Sequence, residues 1–195
     1  MTRLIFEIMY LAFAISLGII RRPHEKQNKS NVIEVDQKGT LEKWLLGLTF
    51  LGVSLLPLLY IFSPWLNFAN YQLPLYLNIL GTVLLIPAAL LFYRSHADLG
   101  RNWSVSLEIR EEHTLVTHGI YKHIRHPMYS ALWIASLCQP LLLQNYIAGL
   151  SGMVGFGLLY FFRVAREEQM MEDQFGEDYL DYKKKIGRAS CRDRV

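Results

Sequence analysis

Two long uncharged segments most constrain what this chain can fold into. No Asp, Glu, Lys or Arg occurs in Trp44–Tyr93, and none occurs in Pro127–Phe162. A third apolar run, Leu4–Ile20, carries only Glu7. A helix needs about 20 mostly apolar residues to cross a bilayer. These runs therefore predict an all-α integral membrane protein with about five transmembrane helices, the last two forming a tight pair.

The distribution of Lys and Arg predicts how these helices are oriented. Basic residues concentrate in segments 21–43 and 94–127 and in the C-terminal segment, whereas the loop 63–74 and the turn near 144–145 contain none. Because cytosolic loops carry the excess of Lys and Arg, the three charged segments are predicted to be cytosolic and the amino terminus to lie outside. The predicted helices cover about 3–20, 41–62, 75–93, 128–143 and 146–168. The fourth is expected to be short, and the fifth to run past the membrane.

Composition excludes several classes of protein. The net charge of +3 is mild, and the basic residues are not interleaved with aromatics, so nucleic acid is not an expected partner. The two cysteines give no disulfide framework. No GxGxxG motif follows a strand, so no Rossmann domain is expected.

Two polar clusters border the second uncharged segment. One is the stretch GIYKHIRHPMY at 119–129, just before the predicted fourth helix. Spacing alone leaves three interpretations open. The stretch could bind zinc, although its histidines lack the spacing of a complete set of zinc ligands. It could instead anchor the chain to lipid headgroups, or it could form a pocket for a charged cofactor. The other cluster pairs Arg163 with Glu167, which share one helix face. They form either an exposed ion pair or a site with one cation and one carboxylate.

Four motifs in order make the chain resemble the isoprenylcysteine carboxyl methyltransferase family. They are HTLVTHGIY at 113–121, RHPMY at 125–129, RxxxEE at 163–168, and FGEDYLDYKK at 175–184. The resemblance covers about 94–185, and the related phospholipid methyltransferases share the RHP and Glu-Glu parts. The tail 187–195 lacks the apolar ending usual in the family and is therefore not counted as part of the catalytic region. The resulting division is three transmembrane helices in 1–93, with a cytosolic loop at 21–40, and a catalytic region in 94–186 that includes a helical hairpin at 128–168.

The resemblance implies a cytosolic cap that binds S-adenosylmethionine outside any Rossmann fold, and no metal. Arg163 is implied to face the substrate carboxylate as the catalytic and substrate-binding residue. The implied cofactor-binding residues are Ser106, His113, Thr114, Leu115, Val116, Tyr121, His126, Pro127, Met128, Tyr129 and Glu167.

The implied activity is methyl esterification of a C-terminal S-prenylcysteine or a similar lipidic carboxylate. The prenylated substrate would enter from the bilayer, and membrane lipid is the other expected partner. The implied location is the cell membrane in a prokaryote or the endoplasmic reticulum in a eukaryote, with the catalytic side cytosolic. Two alternatives stay open: a phospholipid N-methyltransferase of the phosphatidylethanolamine type, and a non-enzymatic scaffold that binds lipid.

Overall fold

The computed structural model describes residues 2–28, 33–36, 39–102, 108–110 and 114–192. Within this part the chain forms seven α-helices and one two-stranded sheet. In chain order the elements are α1 (Thr2–Asn28), β1 (Ile33–Asp36), α2 (Thr40–Phe50), α3 (Leu56–Phe62), α4 (Leu75–Leu99), β2 (Glu108–Arg110), α5 (Pro127–Leu143), α6 (Tyr146–Phe175) and α7 (Glu177–Arg192).

The predicted all-α membrane fold is confirmed. In the described residues, four helical segments are long and apolar enough to cross a membrane: Arg3–Glu25, Thr40–Phe62, Leu75–Leu99 and Tyr146–Phe175. Helix α5 is apolar too but has only 17 residues, which agrees with the short fourth helix expected from its limited share of uncharged sequence. Large side chains such as Phe62 and Phe161 are more than 70% exposed, as a lipid-facing surface requires.

A wide helical turn joins α2 to α3 and shapes the interior. Leu51–Leu55 is a π-helical segment that directly precedes α3, whose second residue is Pro57. Proline lacks an N–H group, and its ring clashes with the carbonyl four residues earlier, here that of Val53. The wider turn frees backbone carbonyls for other helices. The Tyr10 hydroxyl of α1 donates to the Val53 carbonyl at 2.6 Å, and the Gly52 carbonyl accepts from Gln139 of α5 at 2.9 Å.

The α5–α6 hairpin turns within two residues. Gln144 ends α5 in the left-handed conformation, with φ 49°. Asn145 then caps α6, because its Oδ1 accepts from the backbone N–H groups of Ile147 and Ala148 at 3.0 and 2.9 Å. The fully buried Asn145 also donates to the Leu66 carbonyl at 2.7 Å. This turn returns α6 along α5 and brings its polar end back to the start of α5.

The small sheet joins the two charged segments between helices. Strands β1 and β2 pair antiparallel, with a register irregularity between Ile33 and Val35. The main core lies toward the opposite end, where buried side chains of α1, α3, α4 and α5 pack together around Tyr60, Leu142 and Leu143. The charged segments and the tightly packed core therefore occupy different ends of the helical body.

Candidate active site

Helix α6 carries polar side chains to the level of the charged segments. Its 30 residues extend about 45 Å, whereas the hydrocarbon core of a bilayer is about 30 Å thick. The last turns of α6 therefore reach beyond the apolar layer. Arg163, Glu167 and Glu168 lie on these turns, and all three contact residues of other helices or loops.

The start of α5 packs directly on Glu167. The Tyr129 hydroxyl donates a hydrogen bond to Oε2 of Glu167, and Nδ1 of His126 lies 3.7 Å from Oε1. Nε of Arg163 lies 3.8 Å from Oε2. The Glu167 side chain keeps 29% of its surface exposed, so this carboxylate is held by protein groups on one side and accessible on the other.

A second carboxylate ties three parts of the chain together. Oε1 of Glu168 lies 3.0 Å from Nη1 of Arg125 and 3.2 Å from Nε2 of His126, and its Oε2 lies 2.8 Å from Nζ of Lys183 on α7. Lys183 also contacts Glu172 at 2.9 Å. Helix α7, the end of α6 and the segment before α5 are thereby linked by charge-assisted contacts.

The segment before α5 is held by α4 and α7. The backbone N–H of Ile120 donates to Oδ2 of Asp98 at 2.7 Å. Gly119 adopts φ 58°, and a Cβ atom there would collide with the Asp98 side chain, so the turn requires glycine. The Tyr182 hydroxyl donates to the Tyr121 carbonyl at 2.7 Å. These contacts hold the backbone of residues 119–121 in place and thereby position His126.

The carboxylates raise the pKa of His126. Burial by itself would lower the pKa of this imidazole, but hydrogen bonding to Glu167, the charge of Glu167 and the contact with Glu168 outweigh burial. The result is a pKa above the usual 6.5. His126 is therefore protonated in the folded state at pH values where an ordinary histidine has lost its proton.

This shift predicts a pH-dependent stability. A raised folded-state pKa gives a stabilisation that is complete below about pH 6.5 and is lost as the pH rises through the folded-state value. We expect the melting temperature of detergent-solubilised protein to fall as the pH rises above about 6.5, and His126→Gln to reduce this fall. The matched control is His123→Gln, because His123 is exposed. Equal falls in wild type and His126→Gln would contradict the assignment.

Arg163 is also paired with a residue that the sequence did not single out. Nη1 of Arg163 lies 3.6 Å from Oε1 of Glu42, in the first turn of α2, and the two side chains are 8% and 4% exposed. Glu42 is an acidic residue two positions before the uncharged segment that starts at Trp44, and this placement could have drawn attention to it. Its partner lies 121 positions away along the chain, so local spacing could not identify the pair.

An apolar cavity begins at Arg163 and runs between the helices. It has a volume of about 430 Å³ and is lined by α1, α2, the π-helical segment, α4, α5 and α6. Polar residues at one end come from the charged-segment ends of three helices: Arg21 of α1, His96 of α4 and Arg163 of α6. Arg21 and His96 were not among the predicted site residues.

The cavity extends along the helices. On α1 its lining runs from Tyr10 to Arg21, and on α5 from Met128 to Gln139. Each stretch advances eleven helical positions, or about 16 Å. Most of the lining side chains are apolar, so the cavity suits an extended hydrocarbon group.

The other predicted site residues have the following positions. Pro127 starts α5 and is buried, and Met128 lines the cavity. Val116 and Tyr121 are buried, with the Tyr121 hydroxyl 3.4 Å from the Ser95 carbonyl. Thr114 and Leu115 are exposed and half-buried respectively, and Thr114 accepts a hydrogen bond from Nδ2 of Asn102 at 3.1 Å. Ser106 and His113 lie outside the described residues.

The structure thus brings some predicted residues together and leaves others apart. His126, Tyr129, Arg163 and Glu167 form one cluster. Among the described residues, no hydrogen bond joins Thr114 to that cluster.

The fold and this cluster define a class of protein: a helical membrane protein with a polar site where an apolar cavity meets the charged end of the bundle. Residues 80–173 match the model of the isoprenylcysteine carboxyl methyltransferase (ICMT) family. The resemblance predicted from the sequence motifs is thereby confirmed over this region, which contains the whole cluster.

Three relatives illustrate the similarity. The chain is 38% identical over 86 residues to the protein-S-isoprenylcysteine O-methyltransferase of Dictyostelium discoideum, covering 42% of this chain and 35% of that protein. It is 31% identical over 133 residues to the human protein of that name, covering 64% and 47%. It is 26% identical over 151 residues to the B form of Arabidopsis thaliana, covering 76% and 77%. The match therefore spans a third to a half of the first two relatives and about three quarters of the last.

Proposed function

We propose that the chain is a membrane methyltransferase that uses S-adenosylmethionine to esterify the carboxylate of a C-terminal S-prenylcysteine or a similar lipidic carboxylate. The main support is the position of Arg163, which lines one end of an apolar cavity between the helices and lies beside the Glu167 cluster. A prenylcysteine has the matching chemistry: one apolar chain that ends in one carboxylate.

Arg163 is proposed to bind and orient the substrate carboxylate. A guanidinium presents five N–H donors in a planar fork, so Arg163 can contact Glu42 and still offer a bidentate site to a second carboxylate. Glu42 is a positioning residue in this scheme, because it holds the guanidinium from the α2 side. With 8% of its side chain exposed, Arg163 acts where water is largely excluded and electrostatic contacts are stronger.

The acceptor needs no general base. An α-carboxyl group has a pKa of about 3.5, so it is ionised at neutral pH and already nucleophilic. Removing its water shell in an apolar cavity and aligning it with the methyl donor are the remaining requirements. The apolar walls formed by Leu132, Phe156 and Leu159 supply that water-poor environment.

The residues around Glu167 fit the donor chemically. S-adenosylmethionine carries an ammonium group, ribose hydroxyls and a carboxylate, and when bound it supplies a methyl group activated by positive sulfur. The partly exposed Glu167 carboxylate can accept hydrogen bonds from an ammonium or a hydroxyl, and the first turn of α5 offers backbone N–H groups to an anion. The proposed binding residues are those implied by the family resemblance: Ser106, His113, Thr114, Leu115, Val116, Tyr121, His126, Pro127, Met128, Tyr129 and Glu167.

The same arrangement supports a cytosolic catalytic side. Arg163, Glu167 and the segment before α5 lie at the end of the bundle that carries the basic segments 21–43 and 94–127, and such segments face the cytosol. The water-soluble donor would then arrive from the cytosol and the lipid from the bilayer, with the region 94–186 holding both.

A phospholipid N-methyltransferase is the less favoured alternative. An amine acceptor must be deprotonated before it can attack, and a guanidinium beside it opposes an approaching ammonium group. Arg163 therefore favours a carboxylate acceptor.

A methyl-transfer assay with the purified protein tests this proposal. We expect radiolabelled methyl transfer to N-acetyl-S-farnesylcysteine at a kcat/KM at least about 100-fold above that for phosphatidylethanolamine, because a charged contact is worth about 3 kcal/mol. The farnesylcysteine methyl ester is the matched control, since it keeps the chain but has no free carboxylate, and it should not be labelled. Preferential labelling of the phospholipid would overturn the assignment. A lipid-binding scaffold would instead show no saturable heat of binding with S-adenosylhomocysteine.

A further inference from the structure

An arginine lies at the end of the bundle opposite the catalytic cluster. Arg3 directly precedes the apolar run of α1, and it is the one Lys or Arg in the segments expected at this end, 1–3, 63–74 and 144–145. Basic residues of membrane proteins concentrate on the cytosolic side. A single arginine on the other side is therefore notable, and its contacts indicate what it does there.

The guanidinium of Arg3 is held on two sides. Its Nε donates to Oε1 of Glu7 at 2.7 Å, and the Glu7 side chain is only 10% exposed. Its Cζ lies over the ring of Tyr60, 4.6 Å from the ring centre. That ring is fixed in turn, because the Tyr60 hydroxyl donates to the Leu143 carbonyl at 2.6 Å. A carboxylate and an aromatic face thus hold Arg3 in one orientation.

The contacts of Arg3 leave most of its hydrogen-bond donors to other groups. A guanidinium has five N–H donors, and the bond to Glu7 uses the one on Nε. The donors on Nη1 and Nη2 form a planar fork that matches the oxygens of a phosphate. The Arg3 side chain is 41% exposed, so a ligand can reach it. Because the guanidinium is oriented in advance, binding an anion costs less conformational entropy.

Arg3 lines an open groove between the start of α1 and the end of α3. The groove has a volume of about 460 Å³, within the range of about 300–1,000 Å³ found for ligand pockets. Glu7, Ser63 and Asn67 contribute the rest of its polar lining. We use the name outer groove for this surface. Ser63 is the first residue after α3 and Arg3 precedes the apolar run of α1, so the outer groove lies where hydrocarbon gives way to water.

The surface beside the outer groove is apolar. Leu4 and Ile8 lie on one face of α1 and are 57% and 51% exposed, and Phe62 at the end of α3 is 74% exposed. Leu4 and Phe62 also line the groove itself. In a bilayer, side chains of this kind contact the hydrocarbon chains of lipids. A ligand with an anionic group and hydrocarbon chains matches both parts of this surface.

We propose that the outer groove binds a phospholipid of the leaflet opposite the catalytic cluster, with its phosphate on the guanidinium fork of Arg3 and an acyl chain along Leu4 and Ile8. The phosphate of such a lipid lies at the boundary where α1 and α3 end. Glu7 is a positioning residue, because its contact with Nε orients the guanidinium. The site is independent of methyl transfer, which is proposed at the other end of the bundle.

Lipid titration of the detergent-solubilised protein tests the proposal. A ligand that binds the folded state raises the melting temperature with concentration, so dioleoylphosphatidylcholine yields an apparent dissociation constant without turnover. We expect Arg3→Ala to weaken this binding at least about tenfold. The matched control is Arg22→Ala, an exposed arginine at the other end of α1, which should stay within about twofold of wild type. Equal affinities in Arg3→Ala and wild type would overturn the site.

Two further ligands test the source of the phosphate. Dioleoylglycerol has the chains without the phosphate, and inorganic phosphate has the anion without the chains. Neither is expected to give a stabilisation that depends on Arg3. An Arg3-dependent effect of inorganic phosphate equal to that of the phospholipid would replace the lipid by a free anion and overturn the proposal. An effect of dioleoylglycerol equal to that of the phospholipid would overturn the role of the phosphate.

A second variant covers the case in which Arg3→Ala fails to fold, since that change leaves Glu7 without its cation. Asn67→Trp places a large side chain in the outer groove and keeps Arg3, Glu7 and Tyr60. Asn67 is exposed, so the substitution is expected to change the free energy of unfolding little. We expect at least about tenfold weaker binding of dioleoylphosphatidylcholine although every charge is retained. Wild-type affinity in Asn67→Trp would show that the lipid does not occupy the groove.

Discussion

Arg163→Ala is expected to reduce kcat/KM for N-acetyl-S-farnesylcysteine at least about 100-fold, because loss of a charge-assisted contact in a water-poor site costs about 3 kcal/mol. S-adenosylhomocysteine affinity is expected to stay within about threefold of wild type, since the proposed cofactor contacts centre on Glu167 and α5. The measurements are a radiolabelled methyl-transfer assay and isothermal titration on the same preparation. Retained turnover would defeat the role of Arg163 in substrate binding.

The substitution also removes the guanidinium beside the buried Glu42, so folding needs a control. Breaking one partner of a buried pair is strongly destabilising. Arg163→Lys keeps a positive charge near Glu42 but lacks the planar fork that binds a carboxylate in bidentate fashion. We expect Arg163→Lys to melt closer to wild type than Arg163→Ala does and still to lose at least tenfold in kcat/KM. Full activity in Arg163→Lys would show that a positive charge is enough to bind the substrate carboxylate and that the planar guanidinium is not required.

Glu167→Ala is expected to weaken S-adenosylmethionine and S-adenosylhomocysteine binding by about 10- to 100-fold, because a hydrogen bond to a charged group contributes about 1.5–3 kcal/mol. The side chain accepts from Tyr129 and lies near His126, so its removal also loosens the start of α5. Isothermal titration measures the dissociation constants directly. An unchanged dissociation constant would count against Glu167 as a cofactor contact.

Two further variants show why Glu167→Ala weakens cofactor binding. Glu167→Gln keeps the shape and one acceptor oxygen but removes the charge, so it should bind better than Glu167→Ala if hydrogen bonding contributes and equally poorly if charge alone matters. Glu172→Gln removes a carboxylate from the same helix that contacts Lys183 instead, and it should leave the dissociation constant within about twofold. A comparable loss in Glu172→Gln would indicate a general effect of the α6–α7 contacts.

The sequence by itself established the class of fold. The uncharged segments Trp44–Tyr93 and Pro127–Phe162 must be removed from water as helices, because a bilayer offers no partners for backbone polar groups. The same argument predicted a short α5 and a long α6, and both are observed. Motif order then pointed to the family and to His126, Tyr129, Arg163 and Glu167.

Only the tertiary structure decided which side chains share a site. Glu42 meets Arg163 because α2 packs beside α6, and Lys183 meets Glu168 because α7 folds back along α6. The cavity and the Tyr10–Val53 contact likewise depend on how α1 lies against a π-helical turn. Hydrophobic patterning constrains which face of each helix is buried, because the hydrophobic effect grows with the apolar area removed from water. The hydrophobic effect has no preferred direction, so it does not select particular partners. It does not specify which distant polar groups meet, because those pairings are set by the packing of whole helices.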